Sequence, residues 1–346
     1  MKRYLNTLYV TTDGAHVRKD GANIVVEADH AERARVPVHM LGGMVCFGRV
    51  SVSPPVMGFC AEQGVTITYL SPNGRFLARV EGPVAGNVLL RHDQHLCSEN
   101  SSAATAIVRG IVAAKTANQR AVLQRALRDH SESMPGEDRA MLDNAVSRLL
   151  DIARRTLKPA DIDGLRGLEG EAGHVYFGVF GRMLRTSDEN IHFNGRSRRP
   201  PLDPVNAVLS FLYTLLVHDC RSALETVGLD PCVGFLHRLR PGRPSLALDL
   251  MEELRPHLAD RLALTLFNRG ELKTRDFRIM ENGAVLLEDA ARKNVLIAYQ
   301  DRKKDEVEHE FLGEKTSIGL FPHLQAQLLA RTLRGDLDAY PALIWK

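Results

Sequence analysis

From Asn6 to Val80 apolar and polar positions alternate in short runs. Asn6 to Thr11 alternates around Leu8 and Val10, and Ile24-Val25-Val26-Glu27 is rich in β-branched residues. Val36 to Met40, Met44 to Phe47, Val65 to Leu70 and Phe76 to Val80 continue the series. Runs of this kind predict strands with one face on a core. Asp13-Gly14 and Lys19-Asp20-Gly21 read as turns, and Pro72-Asn73-Gly74 predicts a hairpin between the last two strands. One helix is expected near Pro54 to Gln63. Short strands with regular turns predict a small β-sandwich or split sheet.

The period then changes. From Ala103 to Leu157 apolar residues recur at helical spacing, through Ile107, Ile111, Val112, Val122, Leu123, Leu127, Leu142, Val146, Leu149 and Leu150. Ser133-Met134-Pro135-Gly136 breaks this stretch into two helices. The changeover falls at residues 91–102, where Arg91-His92-Asp93-Gln94-His95 leads into Ser98-Glu99-Asn100-Ser101-Ser102. The fold class is therefore α+β, with an N-terminal β-strand domain over 1–95 and a mostly helical domain over 96–346. One β signal returns at Phe277 to Leu287, two strands around Asn282-Gly283, expected as a protruding hairpin.

Composition narrows the function classes only slightly. Forty-five Lys+Arg against 42 Asp+Glu leave a formal charge of +3, which permits nucleic-acid binding without arguing for it. The five cysteines form no C-x-x-C pair, so a thiolate zinc site and a disulfide framework are both disfavoured and a cytoplasmic location is expected. No apolar stretch approaches the roughly 20 residues of a membrane span. Phosphate-loop, H-E-x-x-H and G-x-S-x-G motifs are absent.

Four segments could carry chemistry. In Pro244 to Pro256, Leu246, Ala247, Leu250, Met251 and Leu254 form an apolar arc, and Ser245, Asp249 and Glu252 share another side. Carboxylates three apart repel one another unless a cation relieves them, and a hard divalent ion would do so. A solvated acidic face gives the same pattern. Upstream, His237 ends the apolar run Val233 to Leu236, one short loop from that helix. It reads either as a ligand or as a structural histidine. Between Leu165 and Phe177, Glu169 shares a helical stripe with Ala172, Gly173 and Tyr176. Glu171 and His174 are its local competitors. Glycines at 167, 170 and 173 each cost such a helix roughly 1 kcal/mol, in exchange for close approach by a helix or a substrate. Finally Arg196, Arg198 and Arg199 crowd a Pro-rich turn, which suits phosphate contacts or a solvated basic loop.

Together these segments resemble the CRISPR-associated endonuclease/integrase family, the catalytic subunit of spacer acquisition. The resemblance runs through Leu168-Glu169-Gly170 and Tyr176, then Arg198-Arg199-Pro200-Pro201 and Asp203-Pro204-Val205-Asn206-Ala207. It continues through Gly228-Leu229-Asp230-Pro231 and Gly234-Phe235-Leu236-His237, then Ser245-Leu246, Asp249-Leu250-Met251-Glu252 and Arg255-Pro256. The N-terminal segment is similar to the subtype found beside type I-C systems. The resemblance implies catalysis by Glu169, His237, Asp249 and Glu252. It implies Mg²⁺ or Mn²⁺ held by Glu169, His237 and Glu252, with Asp249 ligating or orienting from beside them. Glu252 stands where some relatives carry Asp. The resemblance also implies DNA as substrate, a homodimer formed largely through the β-domains, and a small second adaptation protein as partner. A stand-alone nuclease on branched DNA or RNA uses the same residues. A non-catalytic DNA-binding scaffold instead requires that Glu169, His237 and Glu252 do not converge, and a small-substrate phosphohydrolase requires a closed pocket.

Overall fold

The computed structural model describes residues 6–72, 76–80, 82, 88–130, 132–158 and 160–345. The chain divides into two compact units, Met1–Gly86 and Asn87–Lys346. The changeover expected at residues 91–102 spans the end of α2 (Val88–Glu99), where Leu90 and Gln94, four apart, turn inward, and the start of the next helix. The polar stretch after it is a helix junction. Asn100 accepts hydrogen bonds from the backbone N–H groups of Ser102 and Ala103 and caps the next helix.

The N-terminal unit holds two four-stranded sheets. One contains β1 (Asn6–Val10), β5 (Leu41–Phe47), β7 (Thr66–Leu70) and β8 (Phe76–Val80); the first three run parallel and β8 antiparallel. The other is ordered β4 (Ala31–Pro37), β3 (Asn23–Ala28), β2 (His16–Asp20) and β6 (Ser51–Val52). The crossover from β5 to its parallel neighbour β7 is carried by α1 (Pro54–Glu62), since a tight turn cannot join parallel strands. Val17, Ile24 and Val26 of one sheet share a core with Met44, Cys46 and Ile67 of the other and with Val56 and Cys60 of α1. The strand expected over Val36 to Met40 ends at Pro37, and Val38–Met40 is a 3-10 turn. Asn73 and Gly74, of the expected hairpin turn, lie outside the described residues.

The C-terminal unit is helical, with α3 (Ser101–Asp129), α4 (Gly136–Thr156), α5 (Ile162–Phe180), α6 (Pro204–Val227), α7 (Ser245–Arg255), α8 (Arg261–Asn268), α9 (Asp289–Lys304) and α10 (Phe321–Leu333). The long α3 packs on α4, α5 and α7, while α6 and α10 close over α7 from other sides. A π-helical turn, Pro256–Asp260, continues α7 into α8. The hairpin β9 (Phe277–Ile279) and β10 (Val285–Leu287) forms as expected but does not protrude freely. Val285 and Leu287 are buried beside α6, and the Val285 N–H bonds the Pro201 carbonyl. A second hairpin pairs β11 (Glu306–His309) with β12 (Glu314–Ser317). After α10 the tail returns to the core. The Trp345 N–H and the Leu343 carbonyl both bond the Asn118 side chain, and Trp345 stacks on His257.

Candidate active site

The α7 segment is no solvated face. Every residue from Ser245 to Arg255 is buried except Leu248, and Asp249 and Glu252 are 0% and 2% exposed. Buried carboxylates need partners, and each has its own set. Asp249 Oδ2 accepts the backbone N–H groups of Phe235 and Leu236 at 2.6 and 2.9 Å, and Oδ1 accepts that of His237 at 2.9 Å. The His237 Nδ1 lies 2.6 Å from the same Oδ1. With both carboxylate oxygens acting as acceptors, Nδ1 must be the protonated ring nitrogen. In the neutral ring the lone pair then sits on Nε2.

The loop that carries His237 is pinned from two helices. Arg166 of α5 donates from Nε to the Leu236 carbonyl at 2.6 Å, while Asp249 gathers the amides from α7. Gly234 is required by close approach. A Cβ there would stand 2.7 Å from the Ser245 carbonyl carbon, 2.8 Å from Asp249 Oδ2 and 2.9 Å from the Leu246 nitrogen. Asp249 is thus committed to building the loop and orienting the ring.

Glu252 points the other way. Its Oε1 lies 2.9 Å from Arg255 Nη2 and 4.0 Å from His237 Nε2. Its Oε2 lies 2.7 Å from Lys115 Nζ, an ion pair without hydrogen-bond alignment. The same Nζ donates to Glu169 Oε1 from α5. Burial by itself would push the Glu252 carboxyl up, but the charges of Arg255, Lys115 and His237 outweigh it and hold it at about 2. Glu252 therefore stays ionised in the interior. Glu169 and Glu252, from different helices, meet on one ammonium, and His237 approaches Glu252 from the loop. Two carboxylates and an imidazole nitrogen are a donor set that suits Mg²⁺ or Mn²⁺, and a cation already stands between the acids. Among the described residues, no three His, Cys, Asp or Glu side chains are spaced to hold an ion as they stand.

The competitors of Glu169 lie elsewhere. Glu171 pairs with Arg155 of α4 at 3.0 Å, and His174 is exposed. Among the described residues the glycines at 167, 170 and 173 meet no neighbouring helix, since a Cβ at each would find open space. The three arginines of the Pro-rich turn divide. Arg198 and Arg199 are exposed. Arg196 is spent inside the fold: it donates to Asn206 Oδ1 at 2.6 Å and Ser210 Oγ at 3.2 Å, and lies 5.1 Å over the Tyr213 ring. These contacts tie the turn to α6 through Asn206, which in turn donates to the N-cap Asp203. Arg255 also lies over the Tyr213 ring, at 4.6 Å, and pairs with Glu252.

Lys115 and the role of Arg255 are missing from the sequence reading. A signal for Lys115 was present: on α3 it occupies the buried stripe of Ile111, Val122 and their neighbours, where the helical period calls for an apolar side chain.

Comparisons with known proteins agree with this architecture. A family model described as CRISPR associated protein Cas1 matches residues 8–301. A relative from Rhodospirillum rubrum named CRISPR-associated endonuclease Cas1 2 is 60% identical over 347 residues, covering 100% of both chains. The solved structure of a casposase bound to integration product superposes with a TM-score of 0.82 at 21% identity, over 99% of this chain and 95% of that one. A Cas6-RT-Cas1--Cas2 complex gives a TM-score of 0.82 at 24% identity, over 100% of this chain, which spans 36% of the length of that one. At these identities the two structures speak for the fold alone. With the family model matched over most of its length and a relative identical at 60% of positions end to end, the chain belongs to the Cas1 family of CRISPR-associated proteins.

Proposed function

We propose that this chain is a divalent-metal-dependent DNA endonuclease and integrase of CRISPR adaptation. The observation that carries the reading is that Glu169 and Glu252, from two helices, share the buried Lys115 ammonium, while Nε2 of His237, from the loop, comes within 4.0 Å of Glu252 Oε1. The name of the Rhodospirillum relative, an endonuclease, supports the activity. The casposase solved bound to integration product shares this fold, in keeping with strand transfer. Glu169, His237 and Glu252 would hold Mg²⁺ or Mn²⁺. When bound, such an ion polarises a phosphodiester and stabilises the charge that builds on it.

Asp249 fixes the His237 ring and turns Nε2 toward Glu252. Arg255 holds Glu252 ionised and in place. Arg198 and Arg199, exposed on the turn that leads into α6, are phosphate contacts in this reading. In the reaction a DNA 3′-hydroxyl attacks a repeat phosphodiester, so that one P–O bond forms as another breaks and a new 3′-hydroxyl leaves. With water in place of the 3′-hydroxyl the same site nicks DNA. The N-terminal unit serves dimerisation, and the partner is the small second adaptation protein, in keeping with the Cas1–Cas2 complex among the structural neighbours. Among the described residues no helix is long and apolar enough to cross a membrane, and the proposed setting is the cytoplasm.

The test is a strand-transfer assay. Purified protein, with and without the small partner, is incubated with a 3′-hydroxyl duplex, a supercoiled repeat-bearing plasmid and Mn²⁺. Joining that disappears in Glu169→Ala and in His237→Ala supports the reading. Nicking without joining supports a stand-alone nuclease instead, and joining that survives both substitutions overturns the site.

A further inference from the structure

We propose that Lys115 is a built-in placeholder cation, whose ammonium occupies the metal position and must be displaced when a divalent ion binds. This rests on the metal reading above and adds a residue and a competition to it. Lys115 is 3% exposed and comes from the middle of α3, the helix on which both α5 and α7 pack. Its Nζ touches Glu169 on one side and lies 2.7 Å from Glu252 Oε2 on the other. An ion shared by these carboxylates would sit roughly 2.0–2.6 Å from each oxygen. That is the volume Nζ fills, so ammonium and ion exclude one another.

The charges point the same way. Glu169 and Glu252 carry two negative charges, and Lys115 and Arg255, which pairs with Glu252 at 2.9 Å, return two positive ones. The acids are thereby held close together and their charge is balanced without metal, where two bare carboxylates would repel and splay. A lysine suits this duty better than an arginine. Its point charge rides on a flexible four-carbon stem, so Nζ can swing aside without moving α3, whereas a planar guanidinium would lock both acids.

Calorimetric titration of the full chain with MnCl₂, alongside thermal melts in EDTA, tests this with Lys115→Met and Lys115→Arg. Lys115→Met keeps the stem and removes the competitor. It should bind Mn²⁺ about tenfold or more tightly, the size expected for sparing a charge-assisted contact, yet melt below wild type in EDTA. Lys115→Arg should bind Mn²⁺ more weakly than wild type while melting normally. Lys115→Met that folds but binds Mn²⁺ no tighter overturns the placeholder and leaves the metal reading standing. Should Lys115→Met fail to fold, Lys115→Arg decides alone: weaker binding supports the proposal and unchanged binding overturns it. A wild-type chain that takes up no Mn²⁺ overturns the metal reading itself, and the placeholder with it.

Discussion

Asp249→Asn removes one charge and almost no volume, and it separates an anchor from a ligand. In the native site four contacts converge on Asp249: three backbone N–H groups and the His237 ring. An asparagine keeps one acceptor oxygen and presents an NH₂ group to the donors that met the other. At least one N–H, and with the Phe235 and Leu236 pair two, is left facing another donor in a position that is 0% exposed. Each hydrogen bond to a charged acceptor contributes about 1.5–3 kcal/mol, and an abandoned buried donor costs a comparable amount. The expected loss is about 3–5 kcal/mol. At roughly 2–4 °C per kcal/mol for a unit of this size, the melting temperature should fall by at least about 6 °C. The fall should appear in EDTA as fully as in Mn²⁺, because it comes from the 234–237 loop and not from the ion. Differential scanning calorimetry in both buffers measures it. A variant that melts within about 2 °C of wild type would refute the anchoring role. If that variant also lost Mn²⁺ binding, Asp249 would be a ligand.

Other consequences follow from the same geometry. Gly234→Ala should lower stability and strand transfer together, since its Cβ meets backbone at under 3 Å and the His237 loop must shift; wild-type circular dichroism melts and activity would contradict it. Gly170→Ala should raise helix stability by up to about 1 kcal/mol, because the added methyl enters open space; a destabilised variant would show that α5 meets something there. Burial pushes the Glu253 carboxyl up to about 7 against the pull of Tyr340, Leu343 and Gln325. The folded chain then holds that proton more tightly than the unfolded one. Its contribution is full below the ordinary carboxylate range and is lost as pH rises toward and through 7. Urea melts from pH 5 to 8 should show Glu253→Gln gaining on wild type as pH rises, and a constant difference would refute this. Arg198→Glu with Arg199→Glu should weaken DNA binding and flatten its salt dependence by about one unit of slope per lost phosphate contact, and unchanged salt titrations would remove both residues from the interface.

The parts of the molecule governed by local period were legible in the sequence. The apolar spacing from Ala103 to Leu157 gave two helices with a break at Met134-Pro135, and α3 and α4 meet there. What depended on distant partners was not legible. Period-two patterning placed the strands but not their order, so the parallel pairing of β1, β5 and β7 appears only in the fold. The α7 stripe of Ser245, Asp249 and Glu252 was visible, yet a solvated face has the same spacing. Only burial by α3, α6 and α10 separates the two. Arg196 looked like its neighbours Arg198 and Arg199, because nothing local shows that Asn206 and Tyr213 claim its guanidinium. Lys115 lies 54 residues from Glu169, and its place in an apolar stripe was a conflict between pattern and residue type that only a buried acid pair resolves.

The most direct test of the central claim is an anomalous difference map from crystals grown with MnCl₂, collected at the manganese edge. One strong peak per chain is expected, bounded by a Glu169 oxygen, a Glu252 oxygen and His237 Nε2, with Lys115 Nζ moved off that point and Asp249 still on the backbone amides. No peak there, with Nζ still between the two glutamates at saturating Mn²⁺, would contradict it.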